Sequence, residues 1–472
     1  MVGCAEDVAL RLSAGEHPFQ PSAYCRTSCP DRVTHSTDDA LRQVGFATAT
    51  SVIIGNMIGT GVFTSLGFQV LETTDGFALL ALWAVGGLIA LCGALSYAEL
   101  GVAYPHSGGE YVYLSRLYSP LIGFLGGWIS MTVGFAAPIA LAALAFGRYF
   151  ATVVNVPPFA ASVGVLAIVA VVHATDLAVA RRFQVVLVVV ELGLILAFVV
   201  AGAGYDEPTA LSFAPTNTGM RQVLEPGFAV SLIYVSFAFS GWNAAGYIAG
   251  EVKAPGRTLP ATLIVGTCAV ALLYLLLNWT FLRTIPIGEL GGVVEVGALS
   301  ARAMFGEMGG RLMSGMIAML LVATISAMVM AGSRVTEAVT RDLARLRIIG
   351  ARSANQVPRN AILLQVGITL ALLLTNSVDR VMTYAGFTLN IGTLLAVIAV
   401  WIRRRREPGR VLPYRIPGFP IVPAFFVMAS LWTLGFVLWE RPVAAFTGLA
   451  TLALGIAIYW WDSRGRVLPP EG

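Results

Sequence analysis

The sequence predicts an all-α membrane protein with twelve transmembrane helices. Three observations carry this: too few charges for a soluble surface, long apolar runs, and basic residues gathered on one side of those runs. Of 472 residues, 57% are hydrophobic and 12% are charged, where a soluble domain carries about 25% charge. Leu79–Tyr97 and Ile122–Phe146 hold no charge at all. An apolar run of about 18 residues or more is long enough to cross the hydrocarbon core as a helix. Lipid offers the backbone no hydrogen-bond partner, so helices are expected and open sheets are not.

In chain order, Met1–Val44 is polar and reads as a cytoplasmic tail. It lacks the short apolar core and small-residue cleavage site of a signal peptide. The first six spans are predicted at 45–70, 76–103, 120–150, 158–176, 182–204 and 223–250. The next six fall at 261–283, 311–340, 360–377, 381–402, 420–439 and 442–461, and 462–472 is a second cytoplasmic tail. Ala298–Met304, ahead of the eighth span, reads as a short surface helix.

The basic residues fix the orientation, because Lys and Arg accumulate in cytoplasmic loops. With the N-terminus inside, the inside segments hold 23 of the 30 basic residues, including Arg334, Arg341, Arg345, Arg347 and Arg403–Arg406. The other seven, among them Arg148, Arg283, Arg380 and Arg441, fall outside or near it. Both termini are therefore expected in the cytoplasm. The run Arg403–Arg406 is read as an anchor at a helix end, not as a nucleic-acid patch. No metal site is expected: Cys4, Cys25 and Cys29 lie in the tail with no second ligand pair, and Cys92 and Cys268 lie in apolar runs. His17, His35, His106 and His173 show no ligand spacing, and no phosphate loop is present, so neither an enzyme nor an ATP-driven pump is supported. No cofactor is expected.

Two spans contain breakers at their centres. The first carries Gly55-Asn56-Met57-Ile58-Gly59-Thr60-Gly61, and each glycine costs a helix about 1 kcal/mol relative to Ala. Such glycines allow close helix packing, or they mark a discontinuous helix at a binding site. The sixth span carries Phe237-Ala238-Phe239-Ser240-Gly241-Trp242-Asn243. Spans 1 and 6 correspond if spans 1–5 and 6–10 (about 45–204 and 223–402) are two repeats of opposite topology. Paired interruptions at corresponding places point to a transporter site. A half-helix N-terminus offers free N–H groups to a carboxylate, and unwound carbonyls suit an ammonium. One break of each kind is a receptor for a zwitterionic α-amino acid. Asn56, Thr60, Ser240 and Asn243 lie at the breaks and no charged residue does, which favours a neutral side chain on the ligand.

Several segments resemble the amino acid–polyamine–organocation transporter family. Ile54–Phe63 is similar to its "GxxxGSGIF" pattern, with Thr60 for Ser. Ala98-Glu99-Leu100 through Tyr104-Pro105-His106-Ser107-Gly108-Gly109-Glu110-Tyr111 resembles its "AEL…P.SGGEY" loop. Phe237–Asn243 followed by Glu251–Pro260 resembles "FxxxGWN…E(E)VKNPxRxLP". Arg334, Arg341-Asp342 and Pro358 fit its eighth-span loop, and Pro413–Gly418 fits the stretch before its eleventh helix. The Gly-Trp-Asn triplet leans toward the L-type, neutral branch. The resemblance implies a LeuT-like five-plus-five inverted repeat, with helices 1 and 6 discontinuous and 420–461 as two extra helices. It implies that backbone around Gly59, Thr60 and Gly61 holds the carboxylate. The carbonyls of Phe237, Ala238 and Ser240 would hold the amino group, with Phe237 as an aromatic lid; Phe237 and Phe239 otherwise read as helix packing. Animal relatives carry a partner-linking Cys after span 3. Val153–Pro158 holds none, so a monomer or homodimer is expected. The Arg-for-Lys bias and short loops suggest a bacterial inner membrane.

The fifth span departs from the family. Nine residues after Arg182, where the family often has Lys, stands Glu191. An ionisable residue at the centre of a membrane helix costs about 2.5–3.5 kcal/mol on insertion scales and is usually functional or paired. Three readings stay open: Glu191 carries a coupling proton, helps bind sodium, or is a structural acid bonded to the first or eighth helix, for example near Ser326. Glu99, Glu110 and Glu251 read as gate or loop-anchoring groups, Arg148 as a snorkelling residue and His173 as a structural one. A cationic amino acid or polyamine carrier, and a receptor that binds without moving its ligand, are the competing functions.

Overall fold

The computed structural model describes residues 44–106, 108–175, 180–341, 343–351 and 358–463; for residue 175 and residues 180–188 it describes only the backbone. The tail up to residue 43 with its cysteines, Ser107, Asp342, the side chains of Ala180–Gln184 and residues 464–472 lie outside that description.

The described chain is helical, with no strand and one isolated bridge between Val44 and Val252. Its helices are α1 (Phe46–Met57), α2 (Thr60–Thr64), α3 (Gly76–Ala103), α4 (Glu110–Leu117), α5 (Pro120–Ile129), α6 (Ala136–Ala151), α7 (Pro158–Thr175) and α8 (Ala180–Ala203). They continue as α9 (Pro226–Phe239), α10 (Ala244–Tyr247), α11 (Pro255–Thr284), α12 (Val296–Arg341), α13 (Arg359–Leu373), α14 (Val378–Arg406), α15 (Ile421–Glu440) and α16 (Pro442–Ser463). Among the described residues nine spans are long and apolar enough to cross a bilayer. Pro158–Ala174, Val189–Ala203 and Arg359–Leu373 are shorter apolar helices. The protein is a multi-pass membrane protein.

Local chemistry starts these helices where the chain demands. Asp75 caps α3 by accepting from the Ala78 N–H at 3.1 Å. Ser119 caps α5, and Pro120 at the first helical position loses no bond it would have made. Ser377 caps α14. The helices α3, α6 and α9 form the buried centre, whereas α15 and α16 lie at the rim with most of their surface exposed.

Four boundaries differ from the sequence reading. The 120–150 span is not one regular helix: Ser130–Gly134 is a π-helical segment between α5 and α6. Pro138 explains it, because proline cannot donate to the carbonyl four residues back and its ring crowds that carbonyl. The loop 104–119 contains a helix, α4. The seventh helix starts at Pro255, not 261, and carries Pro260 inside it. Ala298–Met304 is helical and ends at a kink at Gly306 (φ 70°). One face of it, with Ala298, Ser300 and Ala301, is buried, and Arg302 and Ala303 are exposed.

One end of the bundle is rich in arginine. There Glu99 of α3 is fully buried and bonds the guanidinium of Arg403, the guanidinium of Arg404 (2.7 and 2.9 Å) and the Ile416 N–H (2.7 Å). Asp462, at the close of α16, accepts the N–H groups of Ala344 and Arg345 at 3.0 and 2.7 Å. At the far end Arg441, just before α16, pairs with Glu72 at 2.8 Å and faces Asp379 at 3.9 Å.

Candidate functional site

The glycine-rich stretch of the first span breaks the helix as its composition demands. After α1, Ile58 (φ −70°, ψ 122°) and Gly59 (φ −179°, ψ −152°) are extended, and α2 resumes at Thr60. The first N–H groups of a helix have no partner within it, so Thr60 and Gly61 present donors at this point. The second break is of another kind. After α9 the backbone tightens into one 3₁₀ turn, Ser240–Asn243, before α10.

The two breaks pack on each other through glycines. A Cβ on Gly241 would lie 2.1 Å from the Asn56 carbonyl oxygen, and one on Gly61 would lie 2.7 Å from the Ala238 Cβ. Each break therefore uses a missing side chain to admit the other's backbone. Tyr274 of α11 joins them: its hydroxyl reaches the Met57 carbonyl at 2.5 Å and the Ala238 carbonyl at 3.2 Å.

Between the breaks lies a cavity of about 220 Å³. Asn56, Gly59, Thr60, Gly61, Phe237, Ala238, Ser240 and Asn243 all line it, so eight of the nine residues expected around a substrate come together there. Thr324 and Met328 of α12 and Phe135 and Pro138 complete the walls. Phe239 is not among them. Its ring packs against Tyr274 (centroids 5.0 Å apart) and Trp83 (6.3 Å) and is a core residue.

Several polar groups at the breaks are already engaged. Asn56 donates its amide to Val52 O at 2.8 Å, which leaves its carbonyl oxygen. The Ser240 hydroxyl and N–H both bond Phe237 O, so that carbonyl is saturated. Ala238 O accepts from the Tyr274 hydroxyl at 3.2 Å. The charged residues on the cavity wall, Glu251 and Arg334, lie away from the breaks toward the arginine-rich end, beside Tyr247 and Val335.

Toward the far end the cavity is closed. The Tyr149 hydroxyl accepts the Gly297 N–H at 3.3 Å and lies 3.2 Å from Phe63 O. Gly292 N–H bonds Gly67 O at 2.7 Å. Phe68 stacks near Tyr234 at 6.1 Å.

Below the cavity Glu110 opens α4 and is buried. It accepts from Tyr97 (2.7 Å), Ser130 (3.2 Å), Asn243 (3.2 Å) and Tyr247 (3.2 Å). Sequence reading placed it in a loop; the structure makes it the anchor of Asn243, with the π segment supplying Ser130. Tyr274 was missed as well. Glu191 is buried on α8, which packs against α1, α11 and α12. Among the described residues no hydrogen bond reaches it. Ser326, named as its possible partner, is instead bonded to His173 Nε2 at 2.7 Å.

Comparison with known proteins agrees with this geometry. A profile of the family described as Amino acid permease matches residues 44–461. The serine/threonine exchanger SteT of Bacillus subtilis is 26% identical over 437 residues, 90% of this chain and 98% of the relative. The human cystine/glutamate transporter is 26% identical over 446 residues, 90% of this chain and 87% of its own. The mouse large neutral amino acids transporter small subunit 2 is 26% identical over 443 residues, covering 90% and 82%. With 44–461 matched and the two broken helices facing one cavity, the chain belongs to the amino acid permease family, within the amino acid–polyamine–organocation transporters.

Proposed function

We propose that this permease moves neutral amino acids across the plasma membrane by alternating access, with the zwitterion held between the two breaks. The observation that carries the reading is a cavity faced by both breaks, whose own residues carry no charge. The substrate carboxylate meets the first N–H groups of α2 around Gly59, Thr60 and Gly61. Its ammonium meets the Ala238 and Ser240 carbonyls, Phe237 O being taken, and the Phe237 ring covers the substrate. Asn56 and Asn243 stand at the edges. The large neutral amino acids transporter and serine/threonine exchanger among the relatives support a neutral substrate; the cystine/glutamate transporter makes an anionic one the outcome to exclude.

In this reading nine long helices and three shorter ones make twelve spans, the first ten forming a LeuT-like five-plus-five inverted repeat. The arginine-rich end is cytoplasmic, as are both termini, so the conformation is open inward. Uptake of labelled leucine into proteoliposomes, competed by alanine, serine, arginine, glutamate, cystine and putrescine, tests the substrate class. Stronger competition by arginine, glutamate or putrescine than by alanine and serine overturns it.

Glu191 carries the coupling proton. The burial of Glu191 on α8 supports this: that helix packs on α1, which carries the first break, and on α11, which carries Tyr274. Substrate-driven proton uptake measured with Glu191→Gln is expected to vanish while binding persists. Proton uptake unchanged in the variant would sink the proton role.

A further inference from the structure

A smaller cavity, of about 40 Å³, lies behind the second break, where α9 meets α3, α14 and α15. Phe237, Ser240 and Leu389 are on the walls of both this hollow and the central cavity. At these residues the two spaces are one side chain apart. Phe237 therefore has the central cavity on one side and the hollow on the other.

The hollow is polar where a packing defect would be apolar. Ser430 of α15 is 2% exposed, and its hydroxyl has no hydrogen-bond partner among the described residues. Oδ1 of Asn390 on α14 is buried and likewise unpartnered. Both residues line the hollow, as do Ser236 and Thr393. A buried polar group left unmet costs stability, and such groups are met by protein or by ordered water. Size then decides the ligand. Each water needs about 10–15 Å³ and two to four polar partners, so the hollow takes about three. It is too small for an amino acid.

We propose that this hollow is a binding site for ordered water, held by Ser430 and Asn390, and that the water yields its place to the Phe237 ring when the lid lifts. The second part rests on the reading of Phe237 as the lid over a neutral amino acid. Protein interiors are close-packed, so a buried ring moves only where there is room. Behind Phe237 the neighbours are small molecules that can leave, which a packed side chain cannot do. The same chemistry returns the ring. Ser430 and Asn390 lose their partners while the ring occupies the hollow and regain them when it goes back over the substrate. The lid is therefore biased toward the covering position.

Two measurements test it. Water is read by X-ray hydroxyl-radical labelling of the full chain in detergent, because radicals formed on a bound water oxidise the side chains around it. Phe426 lines the hollow but not the central cavity and is 5% exposed; Phe281 is 0% exposed and lines neither. Phe426 is expected to be oxidised several-fold faster than Phe281. Ser430→Val, which exchanges the hydroxyl for methyl groups, should bring it down to the Phe281 rate. Equal rates in the unaltered protein, or a Phe426 rate that Ser430→Val leaves unchanged, overturn the water site. The lid is read by uptake of labelled leucine into proteoliposomes. Ser430→Val should lower kcat several-fold with KM unchanged, since Ser430 lies outside the substrate cavity. Ser430→Ala, which leaves the room free, should keep kcat near its original value. An unchanged kcat in Ser430→Val, or an equal loss in Ser430→Ala, overturns the displacement. The labelling needs no substrate: if the unaltered protein moves neither leucine nor alanine while Phe426 is still oxidised, the amino acid reading has failed and the water site stands.

Discussion

The two breaks face one cavity but are built on different plans. At the first, two residues leave helical geometry altogether, and α2 starts afresh with its leading N–H groups free. At the second, the chain stays in the helical region: Ser240 (φ −59°, ψ −21°) and Asn243 (φ −64°, ψ −13°) only tighten into a 3₁₀ turn. A 3₁₀ turn bonds three residues back and not four, so its N–H groups stay occupied while the carbonyls before it are displaced. The first break therefore frees donors that the second keeps bonded. Tyr274 keeps the two breaks in register.

The largest effect that would break this comparison is expected at Gly241. A Cβ there meets the Asn56 backbone at 2.1 Å, and backbone cannot give way as a side chain can. Gly241→Ala should cost more than about 3 kcal/mol, the upper range for overpacking, read as a fall in the thermal unfolding temperature of the detergent-solubilised protein. Gly61→Ala meets the Ala238 Cβ at 2.7 Å and should cost about 1–3 kcal/mol. Tyr274→Phe strips a bond from Met57 O and Ala238 O together and should cost a similar 1–3 kcal/mol, about what unmet buried carbonyls forfeit. It should also raise the substrate KM, since both breaks lose their common tie. Glu110→Gln sharpens the contrast, because one of the two oxygens that accept from Asn243 and Tyr247 beside the second break becomes a donor, and nothing at the first is touched. Its expected signature is reduced transport with hydrogen exchange at Gly59–Gly61 unchanged. The smallest effect belongs to Gly59→Ala. The backbone there is extended and the nearest atom is Thr324 Cγ2 at 3.8 Å. Stability should stay level or rise by about 0.5 kcal/mol; a loss as large as that of Gly241→Ala would show that the first break depends on glycine for reasons other than exposure.

What the sequence made legible was what local composition can encode. Glycines in an apolar run announced both breaks, and the run lengths announced the spans. The kind of break was not legible, because extended and 3₁₀ interruptions draw on the same small and polar residues. The inward direction of Phe237 and not Phe239 was within reach: two residues along a helix lie about 200° apart, so both could not face one cavity. Tyr274 was out of reach. It lies in a long apolar helix, and its partners are 217 and 36 residues away, so nothing in its own segment marks it. Glu110 was misplaced because its partners come from three other segments, one of them a π-helical stretch whose only local sign is Pro138.

The last helix carries a kinematic consequence. α16 meets little protein along its flank, yet Arg441 and Asp462 bind it at both ends. Its 22 residues fix a rod of about 33 Å, and a hydrogen-bonded helix does not stretch. Glu72 at one face and the 344–345 backbone at the other are thus the two pins of a link of constant length. Any working stroke that moves these points apart must first unseat one of the pins.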